Sequence, residues 1–259
     1  MLLALDIGNT EITVGLFEGE RLEADWRLTT GAERTPDEWA AMLTTYFSQS
    51  GRSTHAVKAA IVASVVPTVA ADVAMGVHKA CGVTVVEIGP GSPLPLRLDV
   101  EEPLTVGADR VVNTVAALAL YRRDTIVVDF GTATTLDCIT GDGRFIGGVI
   151  APGIRTAADT LVRRTAKLPA TTLVPPARVI GRRTEECIQA GVVLGTAEAV
   201  SGLLRRVLAE WPTTQHPHVV ATGGLASLIA PLVPEIAAVE PRLTLLGLRV
   251  AAGHLGLSW

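Results

Sequence analysis

The chain of 259 residues is 48% hydrophobic and 19% charged, the balance of a packed globular protein and not of a disordered one. A net charge of −4 argues against broad, non-specific nucleic-acid binding, which needs a basic surface. Cys81, Cys138 and Cys187 lie far apart and outside any CxxC spacing, so neither a disulfide framework nor a cysteine metal site is expected, and a cytoplasmic location suits them. The opening Met-Leu-Leu-Ala-Leu is too short and lacks the basic lead of a signal peptide. The apolar stretch 219–239 contains Gly223-Gly224, Pro231, Pro234 and Glu235, and reads as strand, turn, helix and strand, with no membrane span expected.

Residues 2–5 form an apolar run that ends at Asp6 and is followed by Gly8-Asn9-Thr10. Ile12, Val14 and Leu16 then alternate with polar or small residues, the period of a half-buried strand. Glu18-Gly19-Glu20 is a turn signal, and 22–28 reads as a third strand. Thr35-Pro36-Asp37-Glu38 has the hydroxyl cap, proline and acids of a helix start. A buried-type strand at 59–65, a helix from Pro67 to about Cys81, a strand at 83–88, a rigid loop at 89–95 and a helix at about 108–121 complete the first half.

The second half begins in the same way. A strand at 125–128 ends at Asp129, and Gly131-Thr132-Ala133-Thr134-Thr135, a strand, the turn Gly141-Asp142-Gly143 and a strand at 145–150 follow. Sliding one half on the other superposes Asp6 on Asp129 and Gly8 on Gly131. The repeat predicts two related α/β domains, 1–121 and 122–259, facing each other across a cleft. Helices from about Gly153 and from Thr184 to Trp211, a strand at 218–221, a helix at 225–230, a strand near 236–239 and a helix from about Leu243 finish the chain.

Chemistry concentrates in the glycine-bearing segments. Asp6-Ile7-Gly8-Asn9-Thr10 places a carboxylate at a strand end ahead of a turn whose N–H groups can face an anion. Asp6 would hold Mg²⁺ directly or through water. An ordinary hairpin explains one such segment, but the second copy favours function. In that copy Thr132 is placed to donate to a phosphate, and Asp129 to bind a metal or a monovalent cation. The glycines of Ala221-Thr222-Gly223-Gly224-Leu225-Ala226 would let an adenosine lie against the backbone. No GxxxxGK[ST] occurs, which excludes a P-loop, and no Rossmann fingerprint is present. Gly107-Ala108-Asp109-Arg110 precedes an amphipathic helix. Asp109 reads either as a cap or as a general base for phosphoryl transfer, and Arg110 as an anchor for an acidic substrate or the transferring phosphoryl group.

Together these motifs resemble type III pantothenate kinases, as do Gly147-Gly148-Val149-Ile150-Ala151-Pro152-Gly153-Ile154, Ala166-Lys167-Leu168-Pro169 and Ile180-Gly181-Arg182-Arg183-Thr184. The resemblance spans nearly the whole chain. It implies duplicated ribonuclease H-like domains of the actin-like ATPase fold with a nucleotide cleft between them, the last helix being free to pack back on the first domain. It also implies ATP-dependent phosphorylation of pantothenate to 4′-phosphopantothenate, the first step of coenzyme A synthesis, with Mg²⁺, a potassium or ammonium ion and a homodimer. Carried over by position, Asp6, Ile7, Gly8, Asn9, Thr10, Glu11, Ile12 and Thr13 form the first ATP loop, and Thr132, Gly223 and Gly224 also touch ATP. Asp109 is the proton acceptor; Gly107, Ala108, Asp109, Arg110 and Thr184 meet pantothenate, and Asp129 ligates the monovalent cation.

Two positions depart from the pattern. Val100, in Val100-Glu101-Glu102-Pro103, stands in the substrate-binding stretch where the family has a tyrosine, which predicts a weaker pantothenate grip or a shifted loop. Glu11 beside the phosphate loop would repel a triphosphate if it pointed inward, so it is expected to face solvent or a cation. A nucleotide-binding regulator on the same scaffold, or another small-molecule kinase or polyphosphate hydrolase of the superfamily, are the alternatives.

Overall fold

The computed structural model describes residues 1–31 and 33–259. The chain divides into two compact units, Met1–Leu120 with Leu243–Trp259, and Tyr121–Arg242. In the first, β1 (Leu2–Ile7), β2 (Glu11–Glu18) and β3 (Arg21–Thr29) form an antiparallel meander. They are followed by α1 (Pro36–Gln49), β4 (Ala59–Ser64), α2 (Pro67–Cys81), β5 (Val85–Ile88), the two-residue strand β6 (Arg97–Leu98) and α3 (Ala108–Tyr121). Helix α1 starts where its sequence dictates. The Thr35 hydroxyl accepts the Glu38 N–H, Glu38 accepts the Thr35 N–H, and Pro36 fills the first helical position, where a missing N–H costs nothing.

The second unit runs β7 (Thr125–Phe130), β8 (Ala133–Thr140), β9 (Arg144–Pro152), α4 (Ile154–Arg164), α5 (Thr184–Gln189), α6 (Gly195–Ala209), β10 (His218–Thr222), α7 (Ala226–Ile229) and β11 (Ala238–Val239). The final helix, α8 (Leu243–His254), belongs to the first unit. Between α5 and α6, Ala190–Leu194 is π-helical, and the Thr196 hydroxyl donates to the Val192 carbonyl at 2.6 Å. The helix ends at Ala209, short of the expected Trp211, because Trp211 turns away to donate its indole N–H to Asp124 at 2.8 Å.

The two sheets repeat one plan. The order β3-β2-β1-β4-β5 in the first unit is matched by β9-β8-β7-β10-β11 in the second. The first three strands of each are antiparallel and the last two join in parallel. Their meanders have strands of 6, 8 and 9 residues in both units. Each meander shifts register at one equivalent place, between Leu16 and Phe17 and between Cys138 and Ile139.

Strand alternation sorts the β1 side chains. Leu3, Leu5 and Ile7 join the core with α1 and α2, whereas Leu2 and Ala4 join the opposite core with α3 and α8. In the second unit Ile126, Val128 and Phe130 pack with residues of α6 and α7. Asp124, just ahead of β7, is buried and accepts hydrogen bonds from the Trp211 indole, the Thr213 hydroxyl and the Gly141 N–H. Burial alone would raise its pKa, but these hydrogen bonds outweigh burial and hold the carboxyl below its ordinary range. The three cysteines are free thiols, and burial pushes Cys81 up to about 11.

Candidate active site

Asp6 is the fifth residue of β1, paired across the hairpin with Thr13, and the alternation puts it on the sheet face that α3 covers. The turn behind it is closed by the Gly8 N–H donating to the Glu11 carbonyl at 3.0 Å. Thr30 pins the turn from below: its buried hydroxyl donates to the Gly8 carbonyl at 2.7 Å, and its N–H to the Thr10 carbonyl at 3.0 Å. Asn9 and Thr10 are exposed at the tip, while Ile7 and Ile12 are fully buried and offer a ligand only their backbone. Glu11 faces solvent and pairs with Arg27 at 3.1 Å, a charge arrangement that turns it away from an anion in the loop.

Asp109 lies in the first turn of α3, where its Oδ1 accepts the Arg110 N–H at 2.8 Å. Asp109 thus sits inside the helix and not at its cap, and its bond to the next residue's N–H leaves Oδ2 of the carboxylate outside this contact. Gly107 begins the turn so close to this carboxylate that a Cβ would meet Oδ1 at 2.5 Å. The same Cβ would touch Val65 Cγ1 at 3.6 Å, and the Val65 N–H donates to the Ile7 carbonyl at 3.0 Å. This chain of contacts brings the start of α3 to the carboxyl ends of β1 and β4. Asp6 and Asp109 therefore belong to one end and one face of the first sheet, the position at which open α/β sheets bind ligands.

In the second unit Asp129 is the fifth residue of β7, as Asp6 is of β1, paired with Thr135 on one side and with Thr222 at the end of β10 on the other. Gly131 closes its turn by donating to the Ala133 carbonyl at 3.0 Å. The Thr132 carbonyl accepts both the Gly153 N–H at 3.1 Å and the Thr156 hydroxyl at 2.7 Å, which ties the start of α4 to the loop. Gly223 follows β10 with φ +91°, and Leu225 donates to the Phe130 carbonyl at 3.3 Å. The Asp129, Thr132 and Gly223-Gly224 segments are thus gathered at the carboxyl ends of the two central parallel strands.

Val100 is half-buried ahead of the short turn at Pro103–Thr105. Thr184 is exposed as the first residue of α5, in a turn where Glu186 accepts the Arg182 N–H at 2.8 Å. Thr30, Gly153 and Thr156 were not anticipated as loop supports. Gly153 and Ile154 do lie in a segment singled out from the sequence, but nothing local marks their partner.

Among the described residues no group of three or more His, Cys, Asp or Glu side chains is gathered to cage a metal. A Mg²⁺ carried on nucleotide phosphates needs only one or two protein carboxylates and keeps its waters, and the hard oxygen donor at Asp6 fits that demand. The carboxylate of Asp129, flanked in register by Thr135 and Thr222, is a hard oxygen donor of the kind a monovalent cation would need.

The sequence model of the type III pantothenate kinase family matches residues 2–206. The chain belongs to the type III pantothenate kinase family. It is 47% identical over 251 residues to the type III pantothenate kinase of Thermomicrobium roseum, covering 97% of this chain and 96% of that one. Among solved structures, it is similar to a Campylobacter jejuni protein provisionally assigned to the Baf family of transcriptional activators, with TM-score 0.61 and 17% identity over 98% of both chains. It is also similar to a Listeria monocytogenes protein provisionally assigned as an N-acetylmannosamine kinase, with TM-score 0.53 and 12% identity over 98% of this chain and 99% of that one. These likenesses are of fold alone, an α/β fold of the actin-like ATPase kind. As a pantothenate kinase, the enzyme is a phosphotransferase that uses ATP, and its reaction belongs to coenzyme A biosynthesis.

Proposed function

We propose that this pantothenate kinase transfers the γ-phosphoryl group of ATP with Asp109 as general base, Asp6 as the Mg²⁺ carboxylate and Asp129 as the ligand of potassium or ammonium. The observation that supports it is the gathering of Asp6 and Asp109 at the carboxyl end of β1 and β4 on a single sheet face. Phosphoryl transfer asks for positioning and charge stabilisation more than for strong base chemistry, which suits a carboxylate. Asp109 aligns the primary hydroxyl of pantothenate for in-line attack and takes its proton as the new P–O bond forms and the bond to the ADP oxygen breaks. Arg110 holds an anionic group of the substrate or the moving phosphoryl group. The Gly8–Thr10 turn and the Gly131–Thr132 turn offer N–H and hydroxyl donors to phosphate oxygens, and Gly223-Gly224 admits the nucleoside. Mg²⁺ supplies neutralisation of phosphate charge when bound.

A cytoplasmic homodimer with Thr184 and Val100 against pantothenate completes this reading. The test is an ADP-release assay with ATP, Mg²⁺ and potassium, with and without pantothenate. Saturable, pantothenate-dependent release is expected, with half-saturation shifted upward by Val100. ADP release that ignores pantothenate in a protein that binds ATP would favour a regulator or a kinase of another acceptor.

A further inference from the structure

We propose that α8, contributed by the far end of the chain, is the element that sets the distance between the Asp6 hairpin and the Asp109 helix, with Gly247 and Thr244 as positioning residues. The inference rests on Asp109 being the proton acceptor. Two contacts bind α8 to α3. Gly247 lies so close to Val112 that a Cβ there would come within 2.3 Å of the Val112 carbonyl oxygen and 2.8 Å of its Cγ1. The Thr244 hydroxyl donates to the Asn113 amide oxygen at 2.9 Å, and Asn113 is 1% exposed. Thr244 and Gly247 are three residues apart and share a face of α8.

Val112 and Asn113 follow Asp109 by three and four positions, so they lie on its face of α3, one turn away. Across the same turn, the Thr114 hydroxyl donates to the Arg110 carbonyl at 2.8 Å. A helix moves as a rod over one turn, so any displacement at Val112 is delivered to Asp109. On its other side α8 grips the hairpin. Leu245 is 1% exposed, and its Cδ1 would lie 2.9 Å from a Cβ on Gly15. Gly15 pairs with Ala4, two residues before Asp6. Leu245, Leu248, Ala251 and Ala252 share one buried cluster with Ala4, Ala108, Val111 and Val112. One helix thus touches both carboxylate-bearing elements, at contacts too tight for a side chain at Gly247.

The test compares Gly247→Ala with Gly253→Ala, a substitution in the same helix at a glycine with open space around it. Both replace a helical glycine by alanine, but only the first must push α3 away, by about 1 Å, to relieve the contact with Val112. A misplacement of that size costs about 10- to 100-fold in rate. Gly247→Ala is expected to lose kcat by that factor with its KM for ATP unchanged, at a temperature well below its melting transition, while Gly253→Ala keeps wild-type kcat. Wild-type kcat in folded Gly247→Ala, or an equal loss in Gly253→Ala, overturns the proposal. Should Gly247→Ala fail to fold, Thr244→Val and Thr244→Ser decide. Loss of kcat in the first with recovery in the second supports it, and a Thr244→Val enzyme as fast as wild type overturns it. Asp109→Asn separates the two readings: if that variant stays active, the general-base assignment falls, whereas an inactive Asp109→Asn beside an unimpaired, folded Gly247→Ala removes only the role of α8.

Discussion

Gly223 stands at φ +91° with its Cα turned so closely on Asp129 that a Cβ would lie 2.4 Å from the Asp129 Oδ1. The same Cβ would meet the Phe130 backbone at 2.7 Å, so both the backbone angle and the space demand glycine. Gly223→Ala is expected to cost about 1–3 kcal/mol of stability through strain. It should also displace the Asp129 carboxylate. Thermal melts and the response of turnover to potassium would register both effects, and a variant with wild-type melting and salt response would refute them.

Asp129→Ala removes the carboxylate itself. Activation by potassium or ammonium should disappear while the fold persists, because the strand pairing of β7 with β8 and β10 is made by its backbone. Turnover measured across a potassium series checks this; an unchanged salt response would place the cation elsewhere.

Asp109→Asn retains an oxygen that can accept the Arg110 N–H, so α3 should keep its start. What is lost is the proton acceptor, and turnover is expected to fall by about 10²- to 10⁴-fold. Circular dichroism alongside the ADP-release assay distinguishes this from unfolding, and near-normal turnover would rule out the base.

Thr30→Val preserves shape but strips the hydroxyl that holds the Gly8 carbonyl. Leaving that carbonyl without its partner should cost about 1–3 kcal/mol. Because the turn it steadies carries Asn9 and Thr10, the KM for ATP should rise more than that for pantothenate. Equal changes in the two KM values would contradict the assignment.

The buried carboxylate of Asp124 carries a pH signature. Its folded pKa is depressed, so its stabilisation is full above the unfolded value of about 3.9 and is lost as the pH falls through the folded pKa. Asparagine there would turn an amide N–H₂ toward one of the N–H or O–H donors that the carboxylate accepts. Asp124→Asn should melt lower than wild type near neutral pH, with the gap narrowing below about pH 4. A gap independent of pH would show that the charge contributes nothing.

Much of this was legible in the sequence because it is local. The Asp-x-Gly ends of β1 and β7, the Thr35 capping box and the start of α3 at Ala108 are each written within a few residues. The supports of the site are not. Thr30 reaches Gly8 across 22 residues, Thr156 reaches Thr132 across 24, and Thr244 reaches Asn113 across 131. Such pairs leave no periodic trace, since a threonine in a turn or a glycine in a helix has the same local signature whatever it touches. The π-helical segment was hidden for a related reason: Ala-Gly-Val-Val-Leu continues an apolar helix pattern, and one extra residue per turn does not change its composition.

The division of the chain has a consequence for its biosynthesis. The unit Tyr121–Arg242 is continuous, so the segments that build its core are made in one uninterrupted run. The unit carrying Asp6 and Asp109, although its strands emerge first, waits for Leu243–Trp259 before α8 can close over Ala4, Val111 and Val112. A nascent chain stopped before Leu243 would leave that apolar face open to chaperones or to other nascent chains. The amino-terminal half is translated early, but its core closes only once the final helix has been made.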